Sequence, residues 1–381
     1  MDADTLGQFR ETVWRYVREK LVPLEAEVAE RDEVPERVLA DFREMGLYGL
    51  TIPEEYGGLG LSVAEEVEVV AELAWASAAF RSAVSMNLGV GSQGIVMDGT
   101  EAQKREWLPR LAAGAVASFA LTEPGSGSDS AGLVTRAVRD GDHYVLNGSK
   151  RYITNAPTAD LITVMARTHS DRLPKNAHVT AFLVPADTPG VTIGPKDRKM
   201  GQAGAWSADV YLQDVRVPAA NVLGGVEGRG FATAMKVLDR GRLNVTAACV
   251  GQARRILHEA LAYARERQQF GQAIAGFQLV QAMLADSQAE LYAAESMLRD
   301  AARRYDAGQR ISLEASCCKM FAAEMVGRIA DRAVQIHGGA GYMRDTPVER
   351  FYRDVRLFRI YEGTTQIQQL VIAREMLRRA A

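Results

Sequence analysis

Glu362 stands in the run Arg359-Ile360-Tyr361-Glu362-Gly363-Thr364-Thr365-Gln366, between an aromatic residue and a glycine and just ahead of a helical pattern. A carboxylate placed there has no helix face to solvate, and the adjacent glycine permits close approach by a ligand. Abstraction of a proton from a weakly acidic C–H needs such a group on a tight turn, shielded from water and free of a permanent cation partner. A lone glutamate is more often a solvent-facing residue. The rest of the chain has to decide between the two.

Two glycine-containing segments offer a partner for that base. Thr122-Glu123-Pro124-Gly125-Ser126-Gly127-Ser128-Asp129 combines hydroxyls with a flexible backbone whose N–H groups can face an anion or a ring edge. Gln335-Ile336-His337-Gly338-Gly339-Ala340-Gly341-Tyr342 follows a helical stretch and leaves bare backbone for a bulky group. A plain turn, or a helix C-cap at Gly338, explains each segment equally well. Arg267, in Glu266-Arg267-Gln268-Gln269-Phe270-Gly271, closes a helix where cations are favoured anyway, although its planar fork also suits a pyrophosphate. Gly89-Val90-Gly91-Ser92-Gln93-Gly94 satisfies G-x-G-x-x-G literally. No strand precedes it and no βαβ unit surrounds it, so close helix packing or a connecting loop is expected instead.

These residues must be positioned by three successive kinds of chain. Up to residue 115 the spacing predicts helices. Leu6, Phe9, Val13 and Tyr16 recur at three or four residues, and Ser62-Val63-Ala64-Glu65 and Thr100-Glu101-Ala102-Gln103 match the capping box. Residues 116–222 carry short β-branched runs (117–121, 144–146, 161–164 and 179–184), with Asp140-Gly141 as a hairpin signal. From 223 to 381 the pattern is helical again, with long segments near 229–268, 276–305, 311–336 and 364–379. The fold class expected is α+β multidomain: an N-terminal helical domain, a central β domain and a C-terminal helical bundle.

Composition narrows the function. The chain of 381 residues is too long for one growing core and is 47% hydrophobic and 24% charged, ordinary for a globular protein. A net charge of −3 with a pI near 6.1 gives no footprint for nucleic acid. Cys249, Cys317 and Cys318 have no metal-ligand spacing and form no disulfide framework, and the adjacent pair reads as packing inside a helix. No metal site is expected. The start Met1-Asp2-Ala3-Asp4-Thr5 lacks the marks of a signal peptide, and no apolar run reaches membrane-spanning length, so a cytoplasmic location is expected.

Taken together, the segments resemble the acyl-CoA dehydrogenase family over nearly the whole chain. The motifs come in order: Ala120 to Asp129, Asn147-Gly148-Ser149-Lys150-Arg151-Tyr152-Ile153-Thr154-Asn155, Asp239-Arg240-Gly241-Arg242, Arg267 to Gly271, Gln335 to Gly339, and Ile360 to Thr364. The resemblance implies a helical domain, a β domain and a four-helix C-terminal domain, usually assembled as a homotetramer that holds FAD. It implies flavin contacts from Phe119, Leu121 and Thr122, with Ser128 near the pyrophosphate and the thioester ligand. Tyr152 and Thr154 would pack against the ring. Arg267, Phe270, Gln278, Gln335, Gly338 and Gly339 would hold FAD across a subunit boundary, with Thr364 and Gln366 over its adenine half. Asp239 and Arg242 would engage CoA, and Tyr361 and Gly363 would line the thioester site.

Glu362 would be the catalytic base. Some members carry their base where this chain has Gly241, which cannot serve, so Glu362 is the one candidate. The implied reaction is α,β-dehydrogenation of an acyl-CoA to the trans-2-enoyl-CoA, as in fatty acid β-oxidation. Glu362 takes the α-proton, the β-hydride passes to flavin N5, and electrons go on to electron-transfer flavoprotein. The alternative on the same fold is an acyl-CoA oxidase or another flavoenzyme using oxygen. Monooxygenase relatives generally lack the base.

Overall fold

The computed structural model of the chain describes residues 1–168 and 178–380. Its first third is helical: α1 (Ala3–Tyr16), α2 (Glu25–Arg31), α3 (Glu36–Glu44), α4 (Val63–Leu73), α5 (Ala78–Leu88), α6 (Gln93–Asp98) and α7 (Glu101–Ala112). Both capping boxes form. The Ser62 hydroxyl accepts from the Glu65 amide while Glu65 accepts from the Ser62 amide, and Thr100 and Gln103 do the same. Gln103 also donates to the carbonyls of Ala220 (2.8 Å) and Val222 (2.7 Å), tying α7 to the chain that leaves the sheet. The glycines of 89–94 connect α5 to α6. A Cβ on Gly91 would stand 2.6 Å from that of Ala117, so close packing explains the motif.

Strands β1 (Ala117–Ala120), β2 (Arg136–Asp140), β3 (His143–Thr154), β4 (Leu161–Thr168), β5 (Val179–Pro185), β6 (Val191–Ile193) and β7 (Ser207–Pro218) form one seven-stranded sheet. β4 pairs parallel with β1 and β2 and antiparallel with β5, so it is buried almost throughout and reads as an apolar run rather than an alternation. β2 and β3 join through the two-residue loop Gly141-Asp142, with Gly141 at φ 62°.

The last part holds α8 (Gly230–Glu266), α9 (Gln278–Asp306), α10 (Ser312–His337), α11 (Pro347–Val355) and α12 (Thr365–Ala380). The four long segments expected from periodicity are there. α11 went unnoticed in the sequence because it has only nine residues, although Val348, Phe351 and Val355 form its buried stripe. α8 joins all three parts of the chain. A Cβ on Gly251 would stand 2.2 Å from the Ala71 carbonyl of α4, and one on Gly230 would stand 2.4 Å from the Ala181 amide of β5. Cys249 lies buried in α8, and Cys317 and Cys318 lie within α10. Among the described residues no helix is long and apolar enough to cross a membrane.

Candidate active site

A cavity of about 1410 Å³ opens where the three parts meet. It exceeds the ~300–1,000 Å³ usual for a single small ligand, so it has room for two. Its walls are α5, the end of β1, the end of β3, the middle of α8, the loop 360–364 and the first turns of α12.

Glu362 lies in that loop with φ 56°, followed by Gly363 at φ 86°. A glutamate in the left-handed region costs about 1–3 kcal/mol and persists only where its surroundings over-determine it. Three groups do so here. Lys319 of α10, fully buried, donates from Nζ to the Gly363 carbonyl at 2.6 Å. The buried amide of Gln368 donates to the carbonyls of Glu362 and Gly363, both at 3.1 Å. The Thr364 hydroxyl accepts from the Ile367 amide at 3.2 Å and starts α12. The strain is confined to one residue, and the carboxylate is aimed into the cavity.

That carboxylate has the environment of a base. Its Oε2 finds no hydrogen-bond partner among the described residues. Burial pushes its pKa up, opposed by the charges of Arg242, Arg81 and Lys319. A Cβ on Gly241 would come within 3.2 Å of Oε2, so the bare glycine of α8 leaves the carboxylate its space. Arg242, also buried, donates to Asp239 at 2.6 Å and to the Ser316 hydroxyl at 3.3 Å. The Lys319 ammonium is pushed down to about 8 by the same burial.

Across the cavity, Phe119, Leu121 and Thr122 line the wall where the edge strand β1 ends. The segment is fixed from behind by the buried ion pair of Lys150 and Glu123 (2.8 Å), with Lys150 also donating to the Leu121 carbonyl at 3.2 Å. Glu123 accepts in addition from the amides of Val134 (2.6 Å) and Thr135 (2.9 Å). β3 breaks its ladder with β7 between Lys150 and Ile153, and Tyr152 takes φ 58° there. This irregularity turns Tyr152 and Thr154 toward the same cavity. The Thr154 carbonyl accepts from Ser118 at 2.8 Å, while its hydroxyl makes no hydrogen bond among the described residues.

Of the residues singled out in the sequence, Phe119, Leu121, Thr122, Ser128, Tyr152, Thr154, Arg242, Tyr361, Glu362, Gly363 and Thr364 line the cavity. Asp239 stands behind it as the partner of Arg242. Arg267, Phe270, Gln278, Gln335, Gly338 and Gly339 do not line it and are exposed. Tyr263 stacks on His337 with ring centroids 4.2 Å apart, which brings the segments after α8 and α10 to one end of the bundle. Gln366 is exposed on α12, whereas Gln368, passed over in the sequence, holds the loop. Arg81, Asn244 and Trp206 also line the cavity and were missed. Arg81 carried one signal, a single cation within the otherwise uncharged α5.

Three family models match in order: the acyl-CoA dehydrogenase N-terminal domain over residues 3–115, the middle domain over 118–215 and the C-terminal domain over 228–377. The chain is 42% identical over 370 residues to "Probable acyl-CoA dehydrogenase YngJ" of Bacillus subtilis, covering 97% of both chains. It is 40% identical over 354 residues to the caffeyl-CoA reductase-Etf complex subunit CarC of Acetobacterium woodii, covering 93% of each. The solved butyryl-CoA dehydrogenase of Megasphaera elsdenii superposes with a TM-score of 0.94 at 35% identity, covering 99% of this chain and 100% of that one. The protein belongs to the acyl-CoA dehydrogenase family. It is an FAD-dependent oxidoreductase, and its site fits the cofactor. The cavity has volume for a second ligand beside a thioester, and a free hydroxyl at Thr154 faces it from the β-domain wall.

Proposed function

We propose that this chain dehydrogenates an acyl-CoA thioester between Cα and Cβ, with Glu362 as the base that removes the α-proton. The observation that carries it is Oε2 of Glu362, without a hydrogen-bond partner among the described residues and facing the cavity from a strained turn held by Lys319 and Gln368. Burial makes the carboxylate a stronger base than in water, and positioned proton transfer contributes roughly 10²–10⁴-fold. FAD, when bound, supplies the acceptor for the β-hydride. Phe119, Leu121, Thr122, Ser128, Tyr152 and Thr154 would hold its ring half from the sheet. Arg267, Phe270, Gln278, Gln335, Gly338, Gly339, Thr364 and Gln366 would hold the rest across a subunit boundary. Arg242, oriented by Asp239, engages the CoA part, while Tyr361 and Gly363 line the thioester. The divisions at 115 and 222 belong to the same proposal, since the site draws one wall from each part.

Glu362→Gln tests the base. The variant keeps its flavin and binds acyl-CoA, but the substrate no longer bleaches the flavin under anaerobic conditions. Normal bleaching would remove Glu362 from this role. Electron-transfer flavoprotein is the proposed acceptor, supported by the Etf complex named for the relative from Acetobacterium woodii. Faster turnover with oxygen than with that protein would point to an oxidase instead. A homotetramer is supported by large apolar side chains left outside in one copy, among them Phe270 (92% exposed) and Tyr342 (84%).

A further inference from the structure

Lys319 is a fully buried cation on α10. Its ammonium carries three donors, and its one hydrogen bond among the described residues goes to the Gly363 carbonyl at 2.6 Å. No carboxylate of those residues lies within ion-pair distance of it. Taking a lysine out of water on such terms is costly. Holding the turn does not require that cost. The neutral amide of Gln368 reaches the same carbonyl at 3.1 Å. Glu324, also on α10, pairs with Arg359 ahead of the turn at 3.1 Å and accepts from the Thr365 hydroxyl after it at 2.8 Å. The clamp is therefore duplicated by other groups, and the charge is not.

That charge has one open anion to act on. Glu324 is engaged by Arg359 and Thr365. Cys249 of α8 faces Lys319, but burial pushes its thiol up to about 12 and keeps it neutral. Tyr361 is likewise kept protonated by burial. Glu362 remains, one residue before the clamped carbonyl. The other cations that face it are Arg242 of α8, which is answered by Asp239 at 2.6 Å, and Arg81 of α5. Both of those line the cavity, whereas Lys319 does not. Lys319 therefore acts on Glu362 through the loop and stays out of a ligand's reach.

We propose that Lys319 is a positioning residue for Glu362: its bond to the Gly363 carbonyl holds the turn, and its charge, kept behind the turn, holds the carboxylate in the anionic form that accepts a proton. The inference rests on the role proposed above for Glu362. The separation is what makes the arrangement useful. A direct ion pair would occupy Oε2 and leave a weak base. A cation at one remove offsets part of the burial and leaves that oxygen free for the substrate.

Two replacements separate the charge from the clamp. Lys319→Gln keeps a donor for the Gly363 carbonyl and removes the charge, while Lys319→Met removes both. On the FAD-loaded proteins the second-order rate constant of anaerobic flavin bleaching is followed from about pH 5.5 to about pH 9. The substrate is whichever of butyryl-, hexanoyl- and octanoyl-CoA bleaches the native protein fastest. Burial pushes the Lys319 ammonium down to about 8, so its charge is present over the acid limb of the profile. Losing that cation makes Glu362 harder to ionise, so in Lys319→Gln the limb moves to higher pH by about one unit. The rate then falls about tenfold at about pH 6 and recovers to within about threefold of native at about pH 9. Lys319→Met shows the same displacement and also loses about tenfold or more at about pH 9, because the turn is looser. A lysine with a structural role alone would lower the rate by one factor at every pH. A limb that stays in place in both variants overturns the proposal, and failure of Glu362→Gln to bleach would show that the base survives it. If Glu362→Gln bleaches normally, or no thioester bleaches the native protein, the base falls and melting decides on Lys319 alone. The gap in melting temperature between native and Glu362→Gln proteins at about pH 7.5 then widens when Lys319 is replaced by Gln, and an unchanged gap overturns the proposal. If Lys319→Gln fails to fold, Lys319→Met supplies both the limb and the gap.

Discussion

Glu362 combines two properties that cost stability: a left-handed backbone and a carboxylate whose buried Oε2 has no hydrogen-bond partner among the described residues. Its raised pKa makes the native state bind the proton more tightly than the unfolded chain does. The contribution to stability is therefore full below the ordinary carboxylate pKa and is lost as pH rises through the raised native value. Glu362→Gln, which removes the charge and keeps the shape, should be more stable than the native sequence by about 1 kcal/mol at pH 7.5, with the gap closing below pH ~4.5. Thermal melts of both proteins at the two pH values check this. An equal gap at both would mean that the ionisation of Glu362 is not what costs stability. With Glu362 in its proposed role the same sign governs catalysis, because kcat/KM must then rise with pH as the carboxyl loses its proton.

Elements, rather than single residues, set where the wall of Phe119, Leu121 and Thr122 stands. The stretch 121–123 has left β1; the Arg151 amide donates to the Thr122 carbonyl and the Glu123–Lys150 pair fixes it to β3. Both side chains are buried, and breaking a buried pair from one side leaves an uncompensated charge, at a cost of about 3–5 kcal/mol. Lys150→Met should lower the melting temperature by several degrees and loosen FAD, read as flavin retained after gel filtration. An unchanged melting temperature with full flavin would show that the wall is held by β4 pairing alone. Here sequence and structure part company in an instructive way. Lys150 and Glu123 both sit in motifs that the sequence singles out, yet no periodicity reveals that they meet 27 residues apart. Gln368 was hidden for the same reason: it is one more polar residue on a helix until α12 folds back over the loop. Arg81 was legible only as an odd cation in α5, since its place on the cavity wall is a property of space, not of order along the chain.

At the scale of the whole molecule, the proposed homotetramer would complete a site that one copy leaves open. The segments after α8 and α10 meet at one end of the bundle and expose Phe270, Gly338 and Gly339 to solvent. Arg267→Ala and Phe270→Ala should both weaken FAD retention, and Phe270→Ala should also lower the dilution at which the assembly holds, measured by analytical ultracentrifugation. Full retention of flavin by a protein that remains monomeric would count against a shared cofactor site. α8 carries the opposite burden inside the copy. It touches α4 through Gly251 and β5 through Gly230, and it presents Gly241 and Arg242 to the cavity between those two contacts.

What the sequence determined by itself was local and periodic. The three successive kinds of chain, the two capping boxes and the hairpin at Asp140-Gly141 all follow from neighbours within a few residues, whereas the preference for Glu362 over position 241 came from the family resemblance. The ordered motifs were enough to place the chain in its family. Tertiary structure decided which of those residues share a cavity, which residues restrain the Glu362 loop, and that Arg81 lines the same cavity. The reason is physical. Helix, strand and cap are fixed by contacts of short sequence separation, whereas burial, and with it the cost or use of a charge, depends on partners brought from hundreds of residues away.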